Sequence, residues 1–295
     1  QKDDPATLDW LPFDLPEHVY VLCSTLPGTE LEVFRHRLAA DHVIEVETMT
    51  AEEGRDLLHL WLTEAGRTLR LRQEQAVVQS FAANGLPLYL RLAFEEARLW
   101  KSYTPDVHLT ADIPGILRDN LFRRLEAKAN HGPLFCSHAL AYLAAARDGL
   151  AEDELRDLLR KDDEYWEWFC TETESHGQPV PAELPIILWS RLYFDLRPYL
   201  TERERDGVRL LDFYHGQLWQ AAARHYLAAD AKSKFHQRLA RYFELQGLYF
   251  DPDEQRNVNQ RKLRELPFQL FRARAIPELC ALLTNSPDWM TAQFA

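Results

Sequence analysis

The chain has 295 residues, 46% hydrophobic and 27% charged, the balance of a folded protein of two or three units rather than a disordered or fibrous one. Asp and Glu number 46 against 34 Lys and Arg, a net charge of −12, so the broad basic footprint that a nucleic acid requires is missing. No apolar run reaches the roughly 18 residues of a membrane span, no signal peptide opens the chain, and Cys23, Cys136, Cys170 and Cys280 stand far apart without a CxxC pair, which reads as a cytoplasmic chain with reduced packing thiols and no membrane partner.

In chain order, LPEHVYVLCSTLPG holds a short apolar stretch, Val19 to Cys23, before Pro27-Gly28, which predicts a buried strand. A second strand is predicted at His42 to Val46, and Leu31, Phe34, Arg35 and Leu38 between them fall at helical spacing, so the start reads as the edge of an α/β sheet. From Thr50 the text is helical. TAEE offers Thr50 as N-cap with Glu53 three residues on, a capping box, and Leu57, Leu58, Trp61, Leu62 and Ala65 line one face before Gly66. A second helix runs from about Arg72 through Val77, Val78 and Phe81 to Asn84-Gly85, where glycine suits the left-handed C′ position. A third starts at Pro87, which has no N–H to lose in a first turn, and runs to about Trp100.

Asp112 is placed to cap a fourth helix, with Pro114 in its first turn and Ile113, Ile116, Leu117, Leu121 and Leu125 on one stripe. LFCSHALAYLAAA forms a fifth. LAEDELRDLLRK forms a sixth after Asp148-Gly149, with Leu155, Leu158 and Leu159 inward and its acids early and bases late, as the helix dipole favours; Ala151 stands where a capping Ser or Thr would. LPIILWSRLYFDLRPYL then leads through a turn-like TERERDG into the strand VRLLDF, and three helices followed by a β-hairpin is the winged-helix order. From Ala231 the text is helical again, with Phe235, Leu239 and Phe243, then Leu263, Leu266 and Leu270, then Leu279, Leu282 and Leu283, in the manner of antiparallel helix pairs of a repeat array.

Few residues carry chemistry. The phosphate-binding loop G-x-x-x-x-G-K-[ST] is absent, and the chain has no Gly-Lys dipeptide. VRLLD at 208 to 212 imitates a magnesium-holding strand but lies in the wrong part of the order. His131, Cys136 and His138 have metal-ligand chemistry at a spacing that no single helix face accommodates, so packing is the better reading, and His215 and His225, ten apart and so about 15 Å from each other along a helix, are no metal pair. Asp162-Asp163-Glu164 reads as a solvated acidic face, and Trp166, Trp168 and Phe169 as packing. His215, in LLDFYHGQLW, sits where the strand ends and a helix begins. There an imidazole has its backbone held by the strand, and a metal, general-base or purely structural capping role stays open.

Together VLCST, GLPLYLRLAFEEAR, RDGLAEDEL, LLDFYH, HQRLARYF and RELPFQL, in this order, resemble signal-transduction NTPases of the NACHT type, across essentially all 295 residues. More narrowly they are similar to nephrocystin-3-like and telomerase-associated-protein-like chains, and their bacterial relatives, in which tetratricopeptide-like repeats follow the NTPase module. The resemblance implies a mainly α fold with a small α/β part: 1–49 as the edge of a P-loop NTPase sheet, 50–111 a helical lid, 112–230 a winged helix, and 231–295 a helical linker and first repeat helices. It implies an ATP/ADP switch with magnesium that, on meeting a trigger ligand, lets copies assemble, plausible in immune or antiphage sensing. By position Ser24 and Thr25 match the end of the sensor-1 strand, Pro87 the proline of the lid motif beside the adenine, and His215 the winged-helix histidine at the diphosphate. Leu26 stands where many relatives have a sensor arginine. The phosphate-binding loop, magnesium strand and effector domain would precede Gln1, leaving this part inactive alone. The competing reading is a nucleotide-independent helical interaction scaffold; DNA binding is disfavoured by the acids that open AEDELRDLLRK.

Overall fold

A computed structural model of the chain describes residues 8, 11–12, 14–104, 107–228, 230–251 and 256–293. The chain divides into two units between Thr48 and Met49, each described by itself. In the first, helix α1 (Thr29–Arg37) carries Glu30 and Glu32 in its opening turn and Arg35, His36 and Arg37 in its last, complementing the helix dipole. The strands expected at Val19–Cys23 and His42–Val46 do not form. Both runs lack a ladder among the described residues, His42 ends a 3₁₀ turn, and Tyr20, Leu22 and Val46 are 91%, 97% and 91% exposed. Apolar text supplies one strand's preference, whereas a ladder needs a second segment to pair with.

The second unit opens with α2 (Ala51–Glu64), whose capping box closes as expected: the Glu53 amide donates to Thr50 Oγ1 at 3.2 Å and the Thr50 amide to Glu53 Oε2 at 2.7 Å. Gly66, in the left-handed region, ends it with paired bonds from Gly66 N to Thr63 O and Arg67 N to Leu62 O. Helices α3 (Leu71–Ala82) and α4 (Pro87–Ala97) pack against α2. Their close approach needs Gly54, because a Cβ there would stand 2.1 Å from the Phe81 ring.

Asp112 caps the next helical run, α5 (113–126), by accepting from Gly115 N at 2.8 Å. Its middle, Ile116–Phe122, widens into a π-helix, shown by the Arg123 N–H reaching back five residues to Arg118 O. Next come α6 (Pro133–Ala145), α7 (Glu152–Lys161), α8 (Asp163–Ser175) and α9 (Ile186–Leu196). The sequence reading treated α8 as an acidic face with aromatic packing and missed its helical start, an Asp162 side chain that accepts from Tyr165 N. Strands β1 (Leu200–Arg205) and β2 (Val208–Phe213) are antiparallel, so TERER is strand and the turn is Asp206-Gly207 alone. Both turn residues have positive φ, 52° and 75°, the two-residue hairpin turn that matches strand twist. Leu150 bridges to Leu211 beside β2, and Gly149 (φ 85°) is required there because a Cβ would meet Leu211 O at 2.3 Å.

Beyond the hairpin, α10 (Gly216–Tyr226) and α11 (Asp230–Glu244) follow, then a short pair, β3 (Tyr249–Asp251) and β4 (Arg256–Val258), that the helical reading of this region did not expect. α12 (Gln260–Arg272) packs against α11, α13 (Ile276–Asn285) against α12, and α14 (Pro287–Ala292) against α13. Among the described residues the architecture is mainly helical with two small antiparallel sheets. At its centre is α6, with Phe135, Cys136 and every residue from His138 to Ala145 buried, ringed by α5, α7, α8, α10, α11 and β2.

Two substitutions test these constraints. Gly54→Ala gains about 1 kcal/mol of helix propensity yet overpacks Phe81, at about 1–3 kcal/mol, so it should lower stability; Phe81→Leu in the same chain should recover part of the loss in urea melts. Arg274 occupies the left-handed C′ position of α12 (φ 61°) with Ala275 N bonded to Leu270 O, so Arg274→Gly should raise stability by about 0.5–1 kcal/mol in the same assay.

Candidate functional site

β2 ends at Phe213, Tyr214 N bonds back to Tyr199 O, and the chain turns into α10 with His215 as its N-cap. The His215 Nδ1 accepts the Gln217 N–H at 3.2 Å. In the neutral ring that bond assigns the proton to Nε2, so an exposed imidazole at a helix start offers a single N–H donor outward. The structural role left open in the sequence is therefore real, and it coexists with a free donor because the two nitrogens do different work.

Pro87 is the first residue of α4, after a turn fixed by Asn84: its Oδ1 accepts from Leu86 N at 2.9 Å and its Nδ2 donates to Ala111 O at 2.8 Å. Gly85, with φ 63°, is buried there and its carbonyl accepts from Met49 N. The helices bearing Pro87 and His215, α4 and α10, both contact the opening turn of α5, Ile113–Gly115. Ser24 and Thr25 lie in the first unit, exposed and in irregular backbone, with the Thr25 hydroxyl donating to Leu26 O at 3.2 Å. Asp212 accepts from its neighbour Phe213 N at 2.7 Å and lies 3.8 Å from Arg203.

Sequence reasoning missed two buried polar clusters. Asp162, taken as part of a solvated face, is 1% exposed. Its Oδ2 accepts from His138 Nδ1 at 2.7 Å, the Tyr142 hydroxyl at 2.7 Å and Arg238 at 2.6 Å, joining α6, α8 and α11. Burial works to raise its pKa, but the bonds from His138, Tyr142 and Arg238 outweigh it and hold the carboxyl below its ordinary range. The second cluster is Glu154, Arg261, Glu265, Gln269 and His236. Arg261 makes paired bonds to Glu154, 3.0 and 2.8 Å, and donates to Gly149 O at 3.0 Å. Glu265, fully buried, accepts from the Arg147 and Asp148 amides at 3.2 Å, and burial pushes its carboxyl up against the pull of Arg261. Gln269 donates to Ala145 O at 3.0 Å and accepts from His236 Nδ1 at 2.6 Å; burial lowers the His236 pKa. An i,i+4 spacing of Arg261, Glu265 and Gln269 was the available signal, although it names no partner on α7.

The structure separates the three metal-type residues weighed in the sequence: His131 bonds Asp195 at 2.8 Å, His138 bonds Asp162, and Cys136 is a wholly buried thiol whose pKa is pushed up by burial. His138, Asp162 and Glu164 do converge, with ligand atoms within 4.8 Å of one another. Arg238 reaches both carboxylates and Lys234 reaches Glu164, so the site already holds two protein cations that a metal ion would have to displace. Open clefts are lined around His131 and Asp195, around Arg91 and Arg98, and around Arg70 and Lys101, and Pro87 and His215 lie outside these three.

Comparison with known proteins gives relatives along most of the chain. It is 32% identical over 319 aligned positions to the human NACHT domain- and WD repeat-containing protein 1, covering 96% of this chain and 20% of that protein. It is 30% identical over 252 positions to the mouse NACHT and WD repeat domain-containing protein 2, covering 82% of this chain and 14% of that one. A TPR repeat-containing protein of Dictyostelium discoideum is 23% identical over 295 positions, 96% of this chain and 15% of that protein. The homologues support a NACHT-related family, and the chain spans about a fifth or less of their length. No family model matches the chain. No solved structure matches it.

Asp162→Asn removes the charge facing Arg238 and His138 and leaves Arg238 only the longer contact to Glu164 at 3.5 Å, so it should cost about 1.5–3 kcal/mol in urea melts at neutral pH. Because the folded pKa of Asp162 is lowered, its contribution is complete above the unfolded value of about 3.9 and is lost as pH falls toward the folded one. The difference between the two proteins should shrink on acidification below about pH 4.

Proposed function

We propose that the chain is the part of an ATP/ADP-switched NACHT-type signalling module that senses and holds the nucleotide state: sheet edge in 1–49, lid in 50–111, winged helix in 112–230, and linker with first TPR-like helices in 231–295. The observation that carries this reading is His215. An exposed imidazole whose Nδ1 is spent on capping α10 presents its Nε2–H at the end of a hairpin, the disposition a hydrogen bond to a diphosphate requires. The NACHT names of the relatives support the class.

A bound nucleotide would supply the charged phosphate oxygens, and with magnesium the hydrolysable γ-phosphate, to a chain whose own Gly-Lys loop is absent. Within the second unit His215 Nε2–H is the donor that fits the phosphate end; Ser24 and Thr25 of the first unit are assigned to the phosphate by the resemblance alone. Pro87 fits the base end, being an exposed apolar ring at the start of α4. Asp212 already accepts from Phe213 N and lies 3.8 Å from Arg203, which makes it a poor magnesium ligand. A bond from His215 to a phosphate contributes about 1.5–3 kcal/mol, which biases a two-state module by roughly tenfold to a hundredfold toward the closed form. Release of that bond frees the winged helix, and copies then assemble in response to a trigger ligand.

His215→Ala in the full-length protein should speed ADP dissociation roughly tenfold to a hundredfold and favour assembly. It also costs about 1 kcal/mol of helix cap, so His215→Asn, which retains a capping oxygen on a shorter side chain, should show the same fast release with normal thermal stability. Unchanged ADP off-rates in both variants would remove His215 from the site. Full-length protein that neither binds nor hydrolyses ATP would overturn the whole reading and leave the nucleotide-independent scaffold.

A further inference from the structure

A groove of about 510 Å³ lies between the α2–α3 turn and the loop after α4, and its charge is opposite to that of the chain, which is −12 in all. Arg67, Arg70 and Lys101 line it together with the rings of Trp100 and Tyr103, and none of its lining residues is a carboxylate. All three cations are exposed and have no ion-pair partner among the described residues. The neighbouring arginines behave differently: Arg55, Arg91, Arg98, Arg118 and Arg124 each reach a carboxylate at 3.5 Å or less.

The walls of the groove are fixed from below. Gln73, 4% exposed, ties both of them: its Nε2 donates to Lys101 O at 3.0 Å and its Oε1 accepts from Arg70 N at 3.0 Å. One guanidinium nitrogen of Arg67 donates to Trp100 O at 2.9 Å, which holds the group across the groove and leaves its other N–H donors unspent. The Lys101 ammonium stands 5.7 Å from the centre of the Tyr103 ring. Arg70 is also the N-cap of α3, and a guanidinium has no acceptor to offer the first-turn amides, so the positive end of that helix adds to the three charges. Like charges held together in this way repel one another, and a bound anion relieves the repulsion.

We propose that this groove is a binding site for a phosphate monoester. Two guanidinium forks and an ammonium match a dianion with three terminal oxygens, whereas a carboxylate brings one charge and two oxygens. The volume is that of a small-molecule site, with room for the body of the ligand beside Trp100 and Tyr103. The phosphate is that of a soluble phosphorylated molecule or of a lipid headgroup. In the second case Leu71, next to Arg70, and Tyr103, 70% and 74% exposed, meet the lipid. Pro87 and His215 lie outside the groove, so the site does not rest on the nucleotide-state reading.

Two measurements on the 295-residue chain, which has no Gly-Lys loop of its own, test the site and separate the two sources. Calorimetric titration with glycerol phosphate should saturate at or below about 1 mM if the ligand is soluble, and acetate should not displace it. Flotation with phosphatidylcholine vesicles carrying phosphatidic acid, and not with vesicles carrying phosphatidylserine, should occur if it is a lipid. Arg70→Gln with Lys101→Gln, which leaves the Arg67 and Gln73 bonds in place, should weaken whichever binding is seen at least about tenfold, with circular dichroism showing the variant folded. His215→Ala should leave that binding unchanged, which keeps this site distinct from the nucleotide one. Absence of binding in both measurements overturns the proposal, as does binding that survives the loss of Arg70 and Lys101 or that disappears in His215→Ala.

Discussion

The second unit depends on burying α6 on all sides. A helix with almost no polar surface satisfies its own backbone along its length but not at its C-terminal end, where the last carbonyls have no partner one turn on. The C-cap Ala146 N meets Tyr142 O, and two distant groups meet the next carbonyls: the Trp219 indole of α10 on Ala144 O at 2.9 Å and Gln269 of α12 on Ala145 O at 3.0 Å. An unmet carbonyl in that interior would cost about 1–3 kcal/mol, so α10 and α12 are held where they are by the end of α6 as well as by apolar contact.

The same helix has two polar side chains in its buried surface, His138 and Tyr142, and both are satisfied by one oxygen of Asp162. That carboxylate also caps α8 and takes Arg238 from α11, so one buried charge with its partner aligns three helices. At the opposite end, Glu265 binds the Arg147 and Asp148 amides while Arg261 bridges to Glu154, which fastens the turn before α7 to α12. Leu150, just beyond that turn, pairs with Leu211 of β2. The hairpin that leads into His215 is thereby braced from α12 through the Gly149 turn, which gives the histidine a rigid base.

Much of this was legible because it is local. Thr50 with Glu53, Asp112 before Ile113-Pro114, Pro87 at a helix start and the glycines at 66 and 85 declare their geometry within four residues, and each appears as read. His215 could be placed at a strand-to-helix junction for the same reason, although its capping of Gln217 N could not be seen until the junction had coordinates. Failures share the opposite character. Val19–Cys23 has strand composition but no ladder among the described residues, TERER has loop composition yet pairs across Asp206-Gly207, and Asp162 reads as solvated because its three partners lie 20, 24 and 76 positions away.

By itself the sequence determined the helical class, the caps and turns, the mostly apolar α6 and the absence of a Gly-Lys loop, since hydrophobic period, capping chemistry and glycine conformation act over a single turn. Tertiary structure alone decided which acids are buried, which histidine nitrogen faces outward and which cations remain unpaired. Those properties depend on the distance between groups remote in the chain and on the water excluded between them, and neither quantity is encoded in spacing along the sequence.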